Sequence, residues 1–295
     1  MSTPTPPAKP DFDPLAVALR AAATVILIDD KPDLQVFMMK RNANTAFAGG
    51  MWVFPGGSVD VGDSAANYSK YCVHRSEAET CRTLGLEQGG LAYYVAAIRE
   101  AFEEAGILLG LHQVGQAPLA LLEADVISRF AAYRDGVNDG SLDFLEVLNR
   151  EALLLDAATM HYVARWITPV GPPRRFDTRF FLARMPADQQ PMHDDHELTH
   201  SSWLAPAEIL RRAQNQEFSL MPPTMRMVEC LAQFGSATEV IAAAAAELAD
   251  VRVPMNGVGN GVGNVVGNLV GNVVGAGARG AEPGWVRLRP LDQVC

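Results

Sequence analysis

The segment Arg99-Glu100-Ala101-Phe102-Glu103-Glu104-Ala105-Gly106-Ile107 puts three carboxylates into a stretch that otherwise reads as a good helix. At roughly 100° per residue, Glu100, Glu103 and Glu104 share about a third of the helix circumference. Val95, Ile98, Phe102 and Ala105 gather on the opposite side. One face packs and the other concentrates negative charge. Like charges at these spacings destabilise a bare helix by a few tenths of a kcal/mol per pair. A solvated acidic face is the plain reading of such a run. A hard divalent cation, held by carboxylates together with water and substrate phosphates, is the reading that gives the cluster a purpose. Gly106 offers the helix a place to end.

The rest of the chain must supply a core for that helix. With 295 residues, 48% hydrophobic and 20% charged, it has the composition of a globular protein of one large domain or two. A formal net charge of −10 argues against broad nucleic-acid binding, which needs a basic footprint. Anionic ligands must therefore find local basic residues. Cys72, Cys81, Cys230 and Cys295 stand at unrelated positions, which suggests no disulfide framework and fits a reducing, cytoplasmic setting. Cys72, His74 and Cys81 are close in sequence but lack a fourth ligand and the usual spacing for zinc, and they read as ordinary side chains. Residues 1–14 hold five prolines and no apolar run, and read as a disordered tail rather than a signal peptide.

Ala21–Ile28 and Leu34–Met39 read as a hairpin, joined by the turn Asp29-Asp30-Lys31-Pro32-Asp33. Met51–Phe54 reads as a third strand ended by Pro55-Gly56-Gly57, where Gly56 and Gly57 permit a tight turn and close backbone approach to a ligand. Residues 117–158 read as mostly helical from the spacing of Leu119, Leu122, Val126, Phe130, Leu142, Leu145, Leu148 and Leu153-Leu154-Leu155. Arg174, Arg175 and Arg179 precede and enter the apolar strand Phe180–Ala183, forming a candidate pocket for phosphates. Residues 198–204 read as a strand, and helices follow at 205–210, 221–234 and 237–248. Between Asn256 and Gly275 a Gly-Asn-x-Val motif, with Gly, Val or Leu at x, repeats every four residues. Asparagine in each repeat is costly in hydrocarbon and glycine penalises a helix, so residues 251–280 read as a flexible linker rather than a membrane span. Residues 281–295 form a C-terminal tail in which Trp285–Leu288 can dock as a strand.

The acidic segment and the upstream Pro-Gly-Gly together resemble the Nudix hydrolases, whose box reads G-x5-E-x7-R-E-U-x-E-E-x-G-U with U a bulky apolar residue. The second half matches position for position, with Ala101 a small occupant of the first U. Counting from Gly57, the box's first Glu falls on Asp63, with Asp60 nearby, and its Arg arrives at 99, about 28 residues late. Residues 64–91 then read as an insertion in the loop before the helix, tolerated because closure entropy grows slowly with length.

The resemblance covers residues 21–210. It implies an α/β class fold, the Nudix α/β/α sandwich with a mixed sheet, within a domain of residues 15–250 that carries extra helices after the box and toward the C-terminal side. It also implies hydrolysis of a small-molecule diphosphate by water, with Mg²⁺ or Mn²⁺ held by Glu100, Glu103 and Glu104. Arg99 would brace the loop by pairing with a carboxylate, a role that Asp63 or Asp60 inherits. Glu197, just upstream of Trp203-Leu204-Ala205-Pro206-Ala207-Glu208, is the counterpart of a Glu that reaches the metal in many members, with His193 and His196 behind it as candidates. Glu103, Glu104 and Glu197 are all eligible to take the water's proton. The run from Lys40-Arg41 to Gly57, the insertion, and Arg175-Phe176-Asp177-Thr178 are similar to the branch containing the peroxisomal coenzyme A diphosphatase. Arg41 and Gly50 fit the coenzyme A signature of that branch, while Ala46 stands where its second Arg belongs. Coenzyme A or an acyl derivative is the substrate this implies, with Arg41, Arg174, Arg175 and Arg179 as cations for its 3′-phosphate. ADP-ribose, NADH or a dinucleoside polyphosphate is the enzymatic alternative, and a non-catalytic Nudix-fold binding module the third reading. Neither nucleic acid nor membrane is an expected partner, and the oligomeric state, a homodimer included, is open.

Overall fold

The computed structural model describes residues 12–43, 45, 48–191, 198–246, 253–254 and 285–288. In chain order the first elements are β1 (Leu19–Asp30), β2 (Leu34–Arg41), β3 (Trp52–Val53) and β4 (Gly56–Ser58), then a 3-10 turn at Val61–Asp63. After it come α1 (Ala65–Tyr68), β5 (Cys72–Val73), α2 (Glu77–Leu84), α3 (Gly90–Ala105) and β6 (Gly110–His112). There follow α4 (Ala124–Asn138), α5 (Phe144–Arg150), β7 (Leu153–Asp156), β8 (His161–Ile167), β9 (Arg175–Arg184) and β10 (Leu198–Leu204). The last are α6 (Pro206–Gln214), α7 (Pro222–Leu231), α8 (Ala237–Ala245), β11 (Val253–Pro254) and β12 (Trp285–Val286).

The apolar runs of β1, β2 and β9 are continuous because both faces of their sheet are covered. Ala23, Val25, Leu27, Phe37, Met39, Phe181 and Ala183 pack on one side with α3, while Ile26, Ile28, Val36, Met38 and Leu182 pack on the other with α6, α7 and α8. This is the expected α/β/α sandwich. Its main sheet runs β10-β2-β1-β9-β8-β12-β11, with β3 on β2 and β4 on β1. It is mixed, since β1 and β9 are parallel while the hairpin β1–β2 and the pair β8–β9 are antiparallel. The hairpin registers Ile28 with Val36 and Asp30 with Leu34. Lower down, β1 leaves β2 and pairs instead with β4, Ala23 facing Gly57 and Thr24 facing Gly56.

Four expectations are corrected. Gly56 and Gly57 are strand residues on β1, not the corner of a tight turn; neither has a positive φ. Residues 64–91 are not a plain loop: they hold α1, β5 and α2, and Gly90–Leu91 already belong to α3. The run Leu153-Leu154-Leu155 is a strand, β7, which pairs with β5 and β6 in a separate three-stranded sheet. An apolar run this short has no period of its own, so its partners decide its state. The apolar strand expected at Phe180–Ala183 begins five residues earlier, at Arg175, as β9.

The insertion has a structural task. Glu77 of α2 accepts hydrogen bonds from the backbone N–H groups of Gly89 and Leu91, satisfying donors at the start of α3. A Cβ on Gly90 would stand 2.3 Å from the Cys81 backbone nitrogen, so α2 and α3 meet at a contact only glycine allows. Toward the C-terminus, β12 pairs with β8, and Val286 and Leu288 are buried in the core on the α8 side. The chain after the repeat therefore returns to the domain, while the repeat itself and the tail of residues 1–11 lie outside the described residues. No helix among the described residues is long and apolar enough to cross a membrane.

Candidate active site

The acidic face of α3 looks onto β4 and the 3-10 turn behind it. At the turn, Asp60 N–H donates to Asp63 Oδ2 at 2.8 Å, which fixes the Asp63 carboxylate. That carboxylate accepts two bonds from Arg99, from Nε at 3.0 Å and from Nη2 at 3.1 Å. Such a bidentate pair is both strong and geometrically specific. Asp63, 2% exposed, makes the two-point contact, while Asp60 stands 3.4 Å from Nη2 and is largely exposed. Nη2 also donates to Ser58 O at 3.0 Å, so Arg99 ties the helix to the end of β4. From its other side, Nη1 donates to Glu100 Oε1 and to both oxygens of Glu103 at 3.0–3.1 Å.

Four carboxylates thus lie within 3.4 Å of one guanidinium. Glu104 adds a fifth nearby, its Oε2 accepting the Gly56 N–H at 2.9 Å. Burial, and then the neighbouring charge of Glu104, hold the Glu100 carboxyl well above the usual carboxylate range. Burial raises Glu103 as well, against the pull of Arg99. Gly57 closes the arrangement from above: a Cβ there would stand 2.4 Å from Glu100 Oε1, so only glycine leaves the carboxylate its place.

This donor set fits a hard divalent cation. Its ligands are carboxylates, they are partly buried, and they repel one another. As the side chains stand, Arg99 Nη1 bridges Glu100 and Glu103, and among the described residues no three acidic, Cys or His side chains converge as ready ligands. A pH dependence follows. A carboxyl raised in the folded state stabilises the metal-free protein fully below its unfolded pKa, and that contribution is lost as pH rises through the raised value. A cation held by these carboxylates would replace the departing protons. The rise in melting temperature on adding Mg²⁺ is therefore expected to be larger at mildly alkaline than at mildly acid pH. Equal rises at both would place the cation elsewhere.

The remaining sequence candidates scatter. Strand alternation puts Arg175 and Arg179 on one face of β9, while Arg174 stands in the bend before the strand. Arg175 is buried, donating to Thr168 O at 3.1 Å and Val17 O at 3.4 Å. Arg179, 1% exposed, pairs with Asp177 at 3.0 Å and lies 4.4 Å over the Tyr93 ring. The three arginines therefore do not line one pocket, and only Arg174 is exposed. Arg41 closes β2, where it registers with Leu198 of β10. Glu197, His193 and His196 lie outside the described residues. Cys72 is buried, its thiol pushed up to about 12 by burial, and His74 Nδ1 is 2.8 Å from Asp156.

Two supports of the site escape sequence reading. Arg134 of α4 donates to the backbone oxygens of Glu103 at 2.7 Å and Glu104 at 3.1 Å, and Asn138 donates to Glu103 O at 3.2 Å. Arg134 thereby satisfies carbonyls at the end of α3 and places a cation at its negative pole. Gly106, at φ +68°, ends the helix in the left-handed conformation. Only the glycine is visible in sequence; nothing near Arg134 marks what it reaches.

Residues 75–231, more than half of the chain, match the sequence model of a family described as the NUDT19 Nudix domain. The acyl-coenzyme A diphosphatase NUDT19 of Gallus gallus is 27% identical over 266 residues, covering 75% of this chain and 70% of that protein. The Homo sapiens protein of the same name is 28% identical over 235 residues, covering 70% of this chain and 62% of that one. The chain thus spans between three fifths and seven tenths of these curated relatives. A crystal structure of a NUDIX hydrolase from Alicyclobacillus acidocaldarius superposes with a TM-score of 0.61 at 24% identity, covering 77% of this chain and 97% of that one, and shares its fold.

Proposed function

From the premise that this chain belongs to the Nudix family, in the group described by the NUDT19 Nudix domain, we propose that it is a metal-dependent diphosphatase acting on coenzyme A or acyl-coenzyme A. The observation that carries the reaction class is the crowd of buried carboxylates about Arg99, set beneath a glycine strand that leaves them room. The relatives named acyl-coenzyme A diphosphatase support the substrate.

Glu100, Glu103 and Glu104 would hold Mg²⁺ or Mn²⁺, which supplies charge neutralisation of the diphosphate and a more acidic bound water. The chain's own residues set the stage. Arg99, gripped by Asp63, holds Glu100 and Glu103 in place and joins α3 to the 3-10 turn. The Gly56 N–H orients Glu104. Gly57, with no side chain, leaves the Glu100 carboxylate its place against β4. Water adds to one phosphorus, the bridging P–O bond breaks, and the water's proton passes to a carboxylate of the set Glu103, Glu104 and Glu197. Coenzyme A would give 3′,5′-ADP and 4′-phosphopantetheine.

Arg175 and Arg179 are occupied inside the fold, which leaves the exposed Arg174 for the 3′-phosphate, with Arg41 named by the coenzyme A signature alone. The expected result is a kcat/KM for coenzyme A at least about tenfold above its 3′-dephospho form, worth about 1.4 kcal/mol for one charge-assisted contact. That preference should shrink in Arg41→Gln or Arg174→Gln. Equal rates on both substrates, with ADP-ribose or NADH cleaved faster, would replace coenzyme A by a nucleoside diphosphate. Absence of metal-dependent hydrolysis across the panel would leave a binding module.

A further inference from the structure

Glu103 and Glu104 stand in the last turn of α3, where a helix is least able to hold its own backbone. Gly106 N–H donates to Phe102 O at 2.9 Å and Ile107 N–H to Ala101 O at 3.1 Å, which closes the helix with a glycine cap. That cap does not reach the next two carbonyls, those of Glu103 and Glu104 themselves. Water commonly satisfies such groups at a helix end. Here a guanidinium does: Arg134, 4% exposed, donates to Glu103 O from Nε at 2.7 Å and to Glu104 O from Nη2 at 3.1 Å. Arginine is seldom placed in the interior without a specific partner, and water could have served these two oxygens.

The sequence of α4 delivers it there. Phe130, Arg134 and Asn138 are spaced four apart and share one face of that helix. Phe130 is fully buried and meets Phe102 edge-on, with ring centroids 6.4 Å apart, which seats α4 against the residue just before Glu103. Each of the two glutamates is therefore held twice. Their carboxylates are held by Arg99 and by the Gly56 N–H, and their carbonyls by Arg134. The two holds differ toward a divalent cation. A cation on Glu100 and Glu103 competes with Arg99 for the same oxygens, whereas the bonds from Arg134 go to backbone oxygens that the cation does not need. If the last turn relaxed from α to 3-10 geometry, successive side chains would rotate by about 20° more per residue. Ligand sets tolerate only about 10–20° of misalignment.

We infer that Arg134 is a positioning residue for the cation site: through the backbone of Glu103 and Glu104 it fixes where their carboxylates stand, and so sets the metal affinity of α3. This rests on the reading of the acidic face as the place where the cation binds. The test is a titration of Mn²⁺ into the substrate-free, full-length protein, with free Mn²⁺ followed by electron paramagnetic resonance. Arg134→Met keeps an apolar stem and removes the donors, and should weaken binding about tenfold or more, the size expected when a ligand loses its outer support. Arg134→Lys, with a charged donor for one carbonyl, should be weaker than wild type by only about threefold, the loss of one hydrogen bond of two. Val240→Ala, in the buried face of α8 across the sheet, should lower the melting temperature and leave Mn²⁺ affinity within about twofold, which separates lost stability from lost positioning. A folded Arg134→Met that binds Mn²⁺ within twofold of wild type overturns the inference and leaves the cation site standing. Should that variant fail to fold, the same result in Arg134→Lys overturns it. Wild-type protein that binds no Mn²⁺, or Glu104→Gln that binds it as tightly as wild type, overturns the cation reading as well.

Discussion

Glu104→Gln is expected to lower turnover about a thousandfold while the protein folds as before. The substitution is nearly isosteric, and a glutamine oxygen can still accept the Gly56 N–H that Glu104 Oε2 now receives at 2.9 Å. Exchanging a carboxylate for an amide there weakens one hydrogen bond by about 1 kcal/mol. The chemistry loses far more. Removing one anionic ligand takes away several kcal/mol of charge stabilisation, and each 1.36 kcal/mol is about tenfold in rate. Circular dichroism and the melting temperature report the fold, and the rate at saturating Mg²⁺ reports the site. A well-folded variant turning over at the wild-type rate would show that the acidic face of α3 is not where the cation acts.

What sequence could reveal of this site follows the range of the interactions. Glu100, Glu103 and Glu104 share a face because of helix geometry alone, so their grouping is visible in nine consecutive residues. Asp63 could be reached by counting from Gly57, but that it, rather than Asp60, makes the bidentate contact depends on the 3-10 turn that aims it. The insertion was legible as extra length and not as structure. Its order comes from pairings such as Cys72 with Leu155, and from Glu77 capping a helix that starts over ten residues later. Arg175 and Arg179 misled because arginine is seldom buried unless paired. Their partners, Val17, Thr168, Tyr93 and Asp177, become apparent only once β1, β8, β9 and α3 are assembled. The fold class was easier, since the unbroken apolar runs of β1 and β9 already require a sheet covered on both faces.

The two glycines of β4 should fail in different ways when given a methyl group. In Gly56→Ala the new Cβ would meet Ala23 O at 2.5 Å and Thr24 Cα at 2.7 Å, both backbone atoms of β1. Neither can move without parting the ladder that registers Ala23 with Gly57 and Thr24 with Gly56. A destabilisation of about 1–3 kcal/mol is expected from such overpacking, seen as a melting temperature lower by roughly 2–10 °C. In Gly57→Ala the three atoms nearest the Cβ all belong to the Glu100 carboxyl, at 2.4–2.7 Å. A side-chain end can swing away, so the fold survives with its melting temperature within about 3 °C, a shift worth about 1 kcal/mol at this size. Glu100 then leaves Arg99 Nη1, which it now meets at 3.0 Å, and the carboxylate set loses its geometry. A displacement of about 1 Å at a reacting centre can cost a hundredfold in rate, and a loss of at least that size is expected, with more Mg²⁺ needed for saturation. Thermal unfolding and Mg²⁺-dependent kinetics of the two variants side by side decide it. Wild-type Mg²⁺ affinity in Gly57→Ala, or equal losses of stability in both, would mean that Gly57 is kept for the strand and not for the carboxylate beneath it.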